Sequence, residues 1–187
     1  MTSRAQRLAP AVADHRAALE AFVATAEAMS SAAWNARRPG DKWSPSQVAE
    51  HLRLTYITIL AELVGRGEIR IRTKWWQRRL LRLLYLPRIL KRGSFPKGVV
   101  APREIRPGDG PFDRQAVLTA LRQEGEEFIR TVSAGRIENQ TVTHPYLGPL
   151  GLVDGVRFLT QHLRHHHAQI VGAEVAPVAA AAPAGSA

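Results

Sequence analysis

The sequence contains no cysteine. Disulfide bonds, zinc–thiolate sites and a cysteine nucleophile are therefore excluded. Any bound metal ion must be held by histidine or carboxylate side chains. Any thiol chemistry would need a thiol that arrives with a substrate.

Long apolar runs are also missing. No stretch of 18 or more apolar residues is present, so we expect no transmembrane helix. The first ten residues lack the apolar run of a secretion signal, and we expect a cytoplasmic protein. The 187 residues, 45% of them hydrophobic, fit one domain, which we place at residues 1–175. The Ala- and Pro-rich tail, residues 176–187, is predicted to be disordered.

Acidic residues are scarce in one part of the chain. Between Arg66 and Glu104 there are 12 basic and 2 acidic residues, whereas the rest of the chain has 14 of each. The formal net charge of +10 therefore belongs to one segment. A local charge of this kind does not favour reading the whole protein as a nucleic-acid binder, and we expect no stable nucleic-acid partner.

Hydrophobic periodicity predicts an all-α fold. Four helices are expected over residues 11–29, 44–65, 112–135 and 152–173, with His15 on the polar outer face of the first. The second has the clearest start signal, because Ser44-Pro45-Ser46-Gln47 combines an N-cap serine, an early proline and a capping-box glutamine. With no competing strand pattern, we predict a four-helix bundle with a long basic crossover insert at about residues 66–111.

We call residues 66–111 the basic segment. Residues 74–90 within it are expected to form a helix with Trp76, Leu80, Leu83 and Leu84 on one face, and Pro87 is expected to break or kink that helix. Residues 94–111 are expected to be an extended loop. The apolar face could cover the bundle or a dimer partner. It also has the character of an interfacial helix, so weak association with a membrane surface is a second interpretation.

The histidines are the clearest candidates for chemistry. His162 and His166 are one helical turn apart and share a face, so they could bind the same ion. A third ligand must come from another element, and His51 is the best candidate because it points toward the core side of its helix. The spacing alone leaves an alternative open: a solvated histidine cluster on the last helix, with His51 as a hydrogen-bonded core residue.

Two stretches of the sequence resemble the signatures of the DinB-like superfamily. The first contains Trp34, Pro39, Lys42-Trp43-Ser44, Val48 and Glu50-His51-Leu52. The second contains His144-Pro145, Leu147-Gly148, His162, His166 and Gln169-Ile170. The resemblance covers about residues 10–173. Their order and separation along the chain match the family.

This resemblance implies a four-helix bundle that binds one divalent metal ion, often zinc or nickel, through three histidines. In this sequence those positions are His51, His162 and His166, and His165 is the alternative to His166. Glu50 and Gln169 are candidates for orienting the ligating imidazoles, although ordinary exposed polar residues are the simpler interpretation. His144 and Tyr146 could line a pocket, or they could form a structural His-Pro turn.

The resemblance also suggests a function. Some members resemble metal-dependent transferases that use a low-molecular-weight thiol of the mycothiol or bacillithiol type, with a small-molecule substrate. An Ala- and Arg-rich composition is typical of a GC-rich genome and favours mycothiol. Members often look dimeric, so a homodimer is expected. The alternatives are a non-catalytic binding or stress-associated module, and a membrane- or nucleic-acid-associated protein that acts through residues 66–104.

Overall fold

The computed structural model describes residues 4–40, 42–96, 98–134 and 141–174. Their secondary structure is mostly helical, which confirms the all-α expectation in its broad form. The helices are α1 (Arg4–Ala28), α2 (Ser31–Asn35), α3 (Pro45–Leu63), α4 (Trp75–Arg92), α5 (Arg114–Ser133) and α6 (Leu152–Glu174). Among the described residues, a 3-10 turn (Arg103–Ile105) and two strands, β1 (Thr141–His144) and β2 (Gly148–Gly151), lie between the helices.

Four of these helices, α1, α3, α5 and α6, pack against one another, and we call them the helical core. Helix α1 contacts α5 and α6, and α3 contacts the same two helices. Their facing sides bury a continuous apolar cluster, in which the largest fully buried side chains include Leu19, Phe22, Leu118, Leu121, Phe128 and Leu163. This burial is the main source of the stability of the fold.

Helix α3 begins where the sequence predicts. The Ser44 hydroxyl accepts a hydrogen bond from the Gln47 amide at 3.2 Å, and the Ser44 amide donates to Gln47 Oε1 at 3.0 Å. Each bond satisfies an amide that would otherwise lack a partner at the start of the helix. The cap therefore fixes the start of α3 and, with it, the position of His51 two turns along.

Gly125 of α5 leaves room for a core side chain of α1. A Cβ atom at this position would lie 2.4 Å from Cδ2 of Leu19, which is fully buried. Leu19 can pack this closely against α5 because residue 125 has no side chain.

Two short strands are present although the sequence shows no strand pattern that competes with the helices. Strands β1 and β2 form an antiparallel hairpin with Thr141 opposite Gly151 and His144 opposite Gly148. Each strand has only four residues, too few for a clear alternating pattern. Val142 and Leu150 point inward, and the Thr143 amide donates to the buried Glu62 carboxylate at 3.0 Å, which ties the hairpin to α3.

Two prolines lie inside helices and do not end them. Helix α1 begins at Arg4 rather than residue 11 and includes Pro10; Leu8, before the proline, packs against the core. Helix α4 continues through Pro87 to Arg92, and Ile89 beyond it is buried. In each helix an apolar contact close to the proline, Leu8 in α1 and Ile89 in α4, offsets the hydrogen bond that proline cannot make.

The basic segment packs on the helical core through a second apolar cluster. Ile89 of α4 meets Leu147 and Leu150 of the hairpin and Phe158 of α6. Arg82 donates to the carbonyl of Pro149 at 3.0 Å and adds a polar contact to the same surface. One side of α4 is thereby fixed against the hairpin and α6.

The predicted disordered tail, residues 176–187, lies outside the described residues. Within the described part of the chain, none of the helices combines the length and the apolar character that crossing a membrane would require.

Candidate metal centre

Three histidines from two helices meet between α3 and α6. His51 lies on α3, and His162 and His166 lie one turn apart on α6. His51 and His166 are buried and His162 is partly buried. The structure thus brings together the three histidines that the sequence singled out.

The ligand atoms are close enough to share one ion. Nε2 of His162 lies 3.2 Å from Nε2 of His51 and 3.0 Å from Nε2 of His166. Two nitrogen ligands of a tetrahedral zinc ion, each bound at its usual length, are roughly 3.3 Å apart. All three ligand atoms lie within 4.8 Å of one another, and the group could hold a divalent metal ion.

The hydrogen bonds of the outer ring nitrogens decide which nitrogens carry protons. Nδ1 of His51 lies 2.7 Å from the carbonyl oxygen of Ile105, which can only accept, so Nδ1 must be the donor. Nδ1 of His166 lies 2.9 Å from Gln169 Oε1 and donates in the same way. In the neutral rings, Nε2 of both His51 and His166 therefore carries a lone pair directed at His162.

The three Nε2 atoms cannot satisfy one another by hydrogen bonds, whereas a bound cation could satisfy all of them. Nε2 of His162 carries at most one proton and can donate it to only one of its two neighbours. At least one buried lone pair is then left without a donor, which costs free energy in a site shielded from water. A metal ion would satisfy all three nitrogens, so the donor set fits a divalent ion that prefers imidazole.

Burial keeps these rings neutral. Burial lowers the pKa of His51 to about 4, although its hydrogen bond to Ile105 acts in the opposite direction. The pKa values of His162 and His166 are also lowered well below the ordinary value, chiefly by burial and then by the neighbouring imidazoles. At neutral pH all three therefore offer a lone pair rather than a positive charge.

Aromatic side chains cover the group on two sides. The Trp43 ring lies 4.9 Å from that of His51, and the Phe95 ring lies 6.1 Å from that of His162. Phe95 and Ile105 both belong to the basic segment. Sequence reasoning found Trp43 only as part of a motif, and it missed Ile105 because a backbone carbonyl carries no residue-type signal.

Gln169 contacts one of the converging histidines, whereas the hydrogen bonds of the Glu50 carboxylate go to an arginine. Gln169 contacts His166, as a residue that orients a ligating imidazole would, and its amide nitrogen lies 3.0 Å from Nε2 of His165. Glu50 instead pairs with Arg53 through two contacts of 2.8 Å. His165 lies outside the converging group, beside Phe95 with ring centroids 4.9 Å apart.

His144 and Tyr146 make hydrogen bonds that hold the hairpin turn and its neighbour. Nδ1 of His144 accepts from the amides of Tyr146 and Leu147 at 3.2 and 3.1 Å, which forms the His-Pro turn of the hairpin. Burial lowers the pKa of His144 to about 4. The Tyr146 hydroxyl donates to the carbonyl of Val100 at 3.1 Å and joins the hairpin to the basic segment.

The expectation that His15 lies on an outer face was wrong. It is fully buried, with Nδ1 3.2 Å from the Thr160 hydroxyl and Nε2 2.8 Å from the Tyr56 hydroxyl. The Thr160 hydroxyl donates to the carbonyl of Val156, so it accepts from His15, and Tyr56 donates to Nε2. These partners come from distant parts of the sequence, so the local pattern could not show that His15 is satisfied in the core.

Trp43, whose ring contacts that of His51, also lines a cleft. Its volume is about 310 Å³, which is at the small end for ligand pockets. Four cationic side chains and one acidic one line it: Arg37, Arg38, Lys42, Arg106 and Asp109. Arg38 also donates to the carbonyls of Trp43 and Gln169, at 2.7 and 2.8 Å, and so connects the cleft wall to the residue that holds His166.

Comparison with known proteins supports the family resemblance. No curated protein and no solved structure matches the chain. The family profile described as the DinB superfamily matches residues 14–170, which include the two signatures and all three converging histidines. The chain therefore belongs to the DinB superfamily.

Proposed function

We propose that this protein is a metal-dependent enzyme in which His51, His162 and His166 bind one divalent ion, zinc or nickel. The observation that carries the proposal is the convergence of three neutral Nε2 atoms in a site that leaves at least one lone pair without a donor. We further propose that the four helices of the helical core form the four-helix bundle of this family, with the basic segment as its crossover insert.

The residues around the group have assignable roles. Ile105 and Gln169 hold the Nδ1 protons of His51 and His166, which keeps both Nε2 atoms free to bind. Trp43 and Phe95 limit the access of water. An ion held by three neutral imidazoles keeps its positive charge and an open position, so it can lower the pKa of a bound water or thiol.

The reaction that we propose is transfer of a low-molecular-weight thiol of the mycothiol or bacillithiol type to a small electrophile. The chain has no cysteine of its own, which is compatible with a nucleophile that is delivered as a co-substrate. The cleft beside Trp43 could admit a small molecule, and its excess of cationic side chains would favour a substrate with an acidic group. We place this chemistry in the cytoplasm.

The test begins with metal content. We expect the untagged wild-type protein to contain about one equivalent of zinc or nickel by elemental mass spectrometry, in keeping with one three-histidine site. His51→Ala and His166→Ala should each abolish it. His165→Ala and His167→Ala are matched controls from the same helix and should retain it, since their rings contact Gln169 and Thr25 instead.

A second readout does not depend on activity. Metal added to the metal-free protein should stabilise it by about 2.7 kcal/mol at a hundredfold excess over Kd, and should not stabilise His166→Ala. A wild type that binds no metal even after reconstitution would refute the proposal. Metal binding without thiol-dependent consumption of electrophiles would refute the transferase reaction. The assignment of the metal site would still stand.

A further inference from the structure

One face of α4 carries large apolar side chains that the protein does not cover. Trp75 is 65% exposed and Leu83 is 73% exposed, and Trp76, Leu80 and Leu84 are between 42% and 51% exposed. Trp76, Leu80, Leu83 and Leu84 follow the spacing of one helical stripe. Large contiguous apolar patches are uncommon on soluble proteins and usually mark an interaction surface.

The opposite side of α4 is firmly attached, so the exposure is not a sign of a detached helix. Ile89 is buried against the hairpin and Phe158, and Arg82 donates to the carbonyl of Pro149. A Cβ atom on Gly148 would lie 2.3 Å from the side chain of Arg78, which shows how closely α4 approaches the hairpin. The outward stripe is therefore held in a fixed orientation.

Positive charge borders the stripe. Nine basic residues and no acidic residue lie between Arg70 and Arg103. Arg79, Arg88 and Lys91 are exposed on α4, and the Arg79 guanidinium lies 5.8 Å from the centre of the Trp75 ring. The combination of tryptophan, leucine and cations on one helical face is typical of helices that lie in the interface of a membrane.

From this face we infer that α4 docks on the surface of a lipid bilayer that contains anionic headgroups. The leucines and tryptophans would enter the boundary between headgroups and acyl chains, while Arg79, Arg88 and Lys91 would contact lipid phosphates. The inference concerns a surface away from the histidine group and does not depend on the proposed reaction.

Other occupants fit less well. A second copy of the chain would bring two surfaces of the same strong positive charge together, which costs free energy. Nucleic acid would match the charge, but it offers no apolar interior in which Leu80, Leu83 and Leu84 could be buried. An anionic bilayer complements both features of the face.

The test is sedimentation of the full-length protein with vesicles at low salt. One set contains phosphatidylcholine alone, and in the other set part of it is replaced by phosphatidylglycerol. We expect binding to the anionic vesicles only, with weakening at high salt because the attraction is screened. Trp75 and Trp76 should shift their emission to shorter wavelength on binding, whereas Trp34 is already buried.

Two substitutions distinguish binding through this face from non-specific adsorption by exposed apolar residues elsewhere. Leu83→Glu should lower the partition coefficient about tenfold or more, because a charge replaces the most exposed leucine of the stripe. Val171→Glu is the matched control, since Val171 is an exposed apolar residue of α6 at 44%, and it should bind as the wild type does. Circular dichroism would show that both variants fold, and the double substitution Arg79→Gln with Arg88→Gln tests the charges independently.

Several results would overturn the inference. Failure of the wild type to bind anionic vesicles at low salt is one, and equal binding to both vesicle types is another. Equal binding by Leu83→Glu and the wild type would show that the stripe is not inserted. A dimer that Leu83→Glu converts to a monomer, without any vesicle binding, would assign the face to a second copy. Retention of duplex DNA without vesicle binding would assign it to nucleic acid.

Discussion

Trp34 and Trp75 are the same residue type in two very different environments. Trp34, between α1 and α3, is 2% exposed and donates its indole N–H to the carbonyl of Phe112 at 2.8 Å. Trp75, at the start of α4, is 65% exposed and meets a guanidinium. The leucines repeat this contrast, since Leu121 of the helical core is fully buried and Leu83 of α4 is 73% exposed.

The difference shows that residue type alone does not decide burial. In the helical core, each apolar face meets another apolar face, and the formal charges outside residues 66–104 balance. In the basic segment, one side of α4 meets the hairpin and the other meets solvent. The helical core therefore accounts for folding, whereas the outer face of α4 contributes little to folding and is available for another role.

The largest expected effect contrasts one leucine from each region. Leu121→Ala should destabilise the protein by about 2–5 kcal/mol, because it removes buried methyl groups and leaves a cavity among the core helices. Leu83→Ala is the matched substitution in α4 and should change the free energy of unfolding by no more than about 0.5 kcal/mol. Urea denaturation measures both. Similar losses of unfolding free energy in the two variants would show that the outer face of α4 contributes as much to stability as the helical core does.

The next effect concerns the buried polar group of the helical core. Burial lowers the pKa of His15 from 6.5 to about 4, against the opposing influence of Asp14 and Glu126. Above pH 6.5 the His15 ring is mainly neutral in both the folded and the unfolded protein, so its burial costs no stability there. As the pH falls from 6.5 toward 4, the unfolded chain takes up a proton that the folded protein does not, and stability is lost.

For this one residue the loss should reach about 3 kcal/mol at pH 4. Urea denaturation of the metal-free protein at several pH values measures it, and His15→Gln should show a shallower decline than the wild type. Tyr56→Phe is the control, because it removes the hydroxyl that donates to His15 and keeps the titrating ring. If the unfolding free energy of His15→Gln fell with pH as steeply as that of the wild type, the loss would not come from His15.

A smaller effect tests how tightly the helical core is packed. Gly125→Ala should destabilise the protein by about 1 kcal/mol, because overpacking against Leu19 outweighs the gain in helix propensity. In Gly151→Ala the new methyl group meets open space at the end of the hairpin, so the change should be near zero. Thermal or urea unfolding compares them. If Gly125→Ala proved more stable than the wild type, the close approach of α1 and α5 would be wrong.

Much of the fold follows from local sequence signals. The start of α3 follows from Ser44 and Gln47, whose capping interactions involve residues only three apart. The pairing of His162 and His166 follows from helical spacing. The third member of the group, His51, required a judgement about which face of α3 is buried, and the family signature supported it.

The features that sequence reasoning missed depend on partners far along the chain. His15 looks like a surface residue among Asp14 and Arg16, because the hydroxyls that satisfy it belong to Tyr56 and Thr160. The hairpin strands are short and are held by Glu62 of α3. A local pattern does not contain these contacts, so periodicity could not predict them.

The hydrogen bond between His51 and Ile105 has a thermodynamic consequence. It is a direct connection between the helical core and the basic segment, since the carbonyl that fixes the His51 proton belongs to the 3-10 turn that follows α4. If a ligand of the basic segment displaces this turn, it must change the metal affinity of the histidines. By reciprocity, occupancy of the histidine site would then change the affinity for that ligand by the same factor.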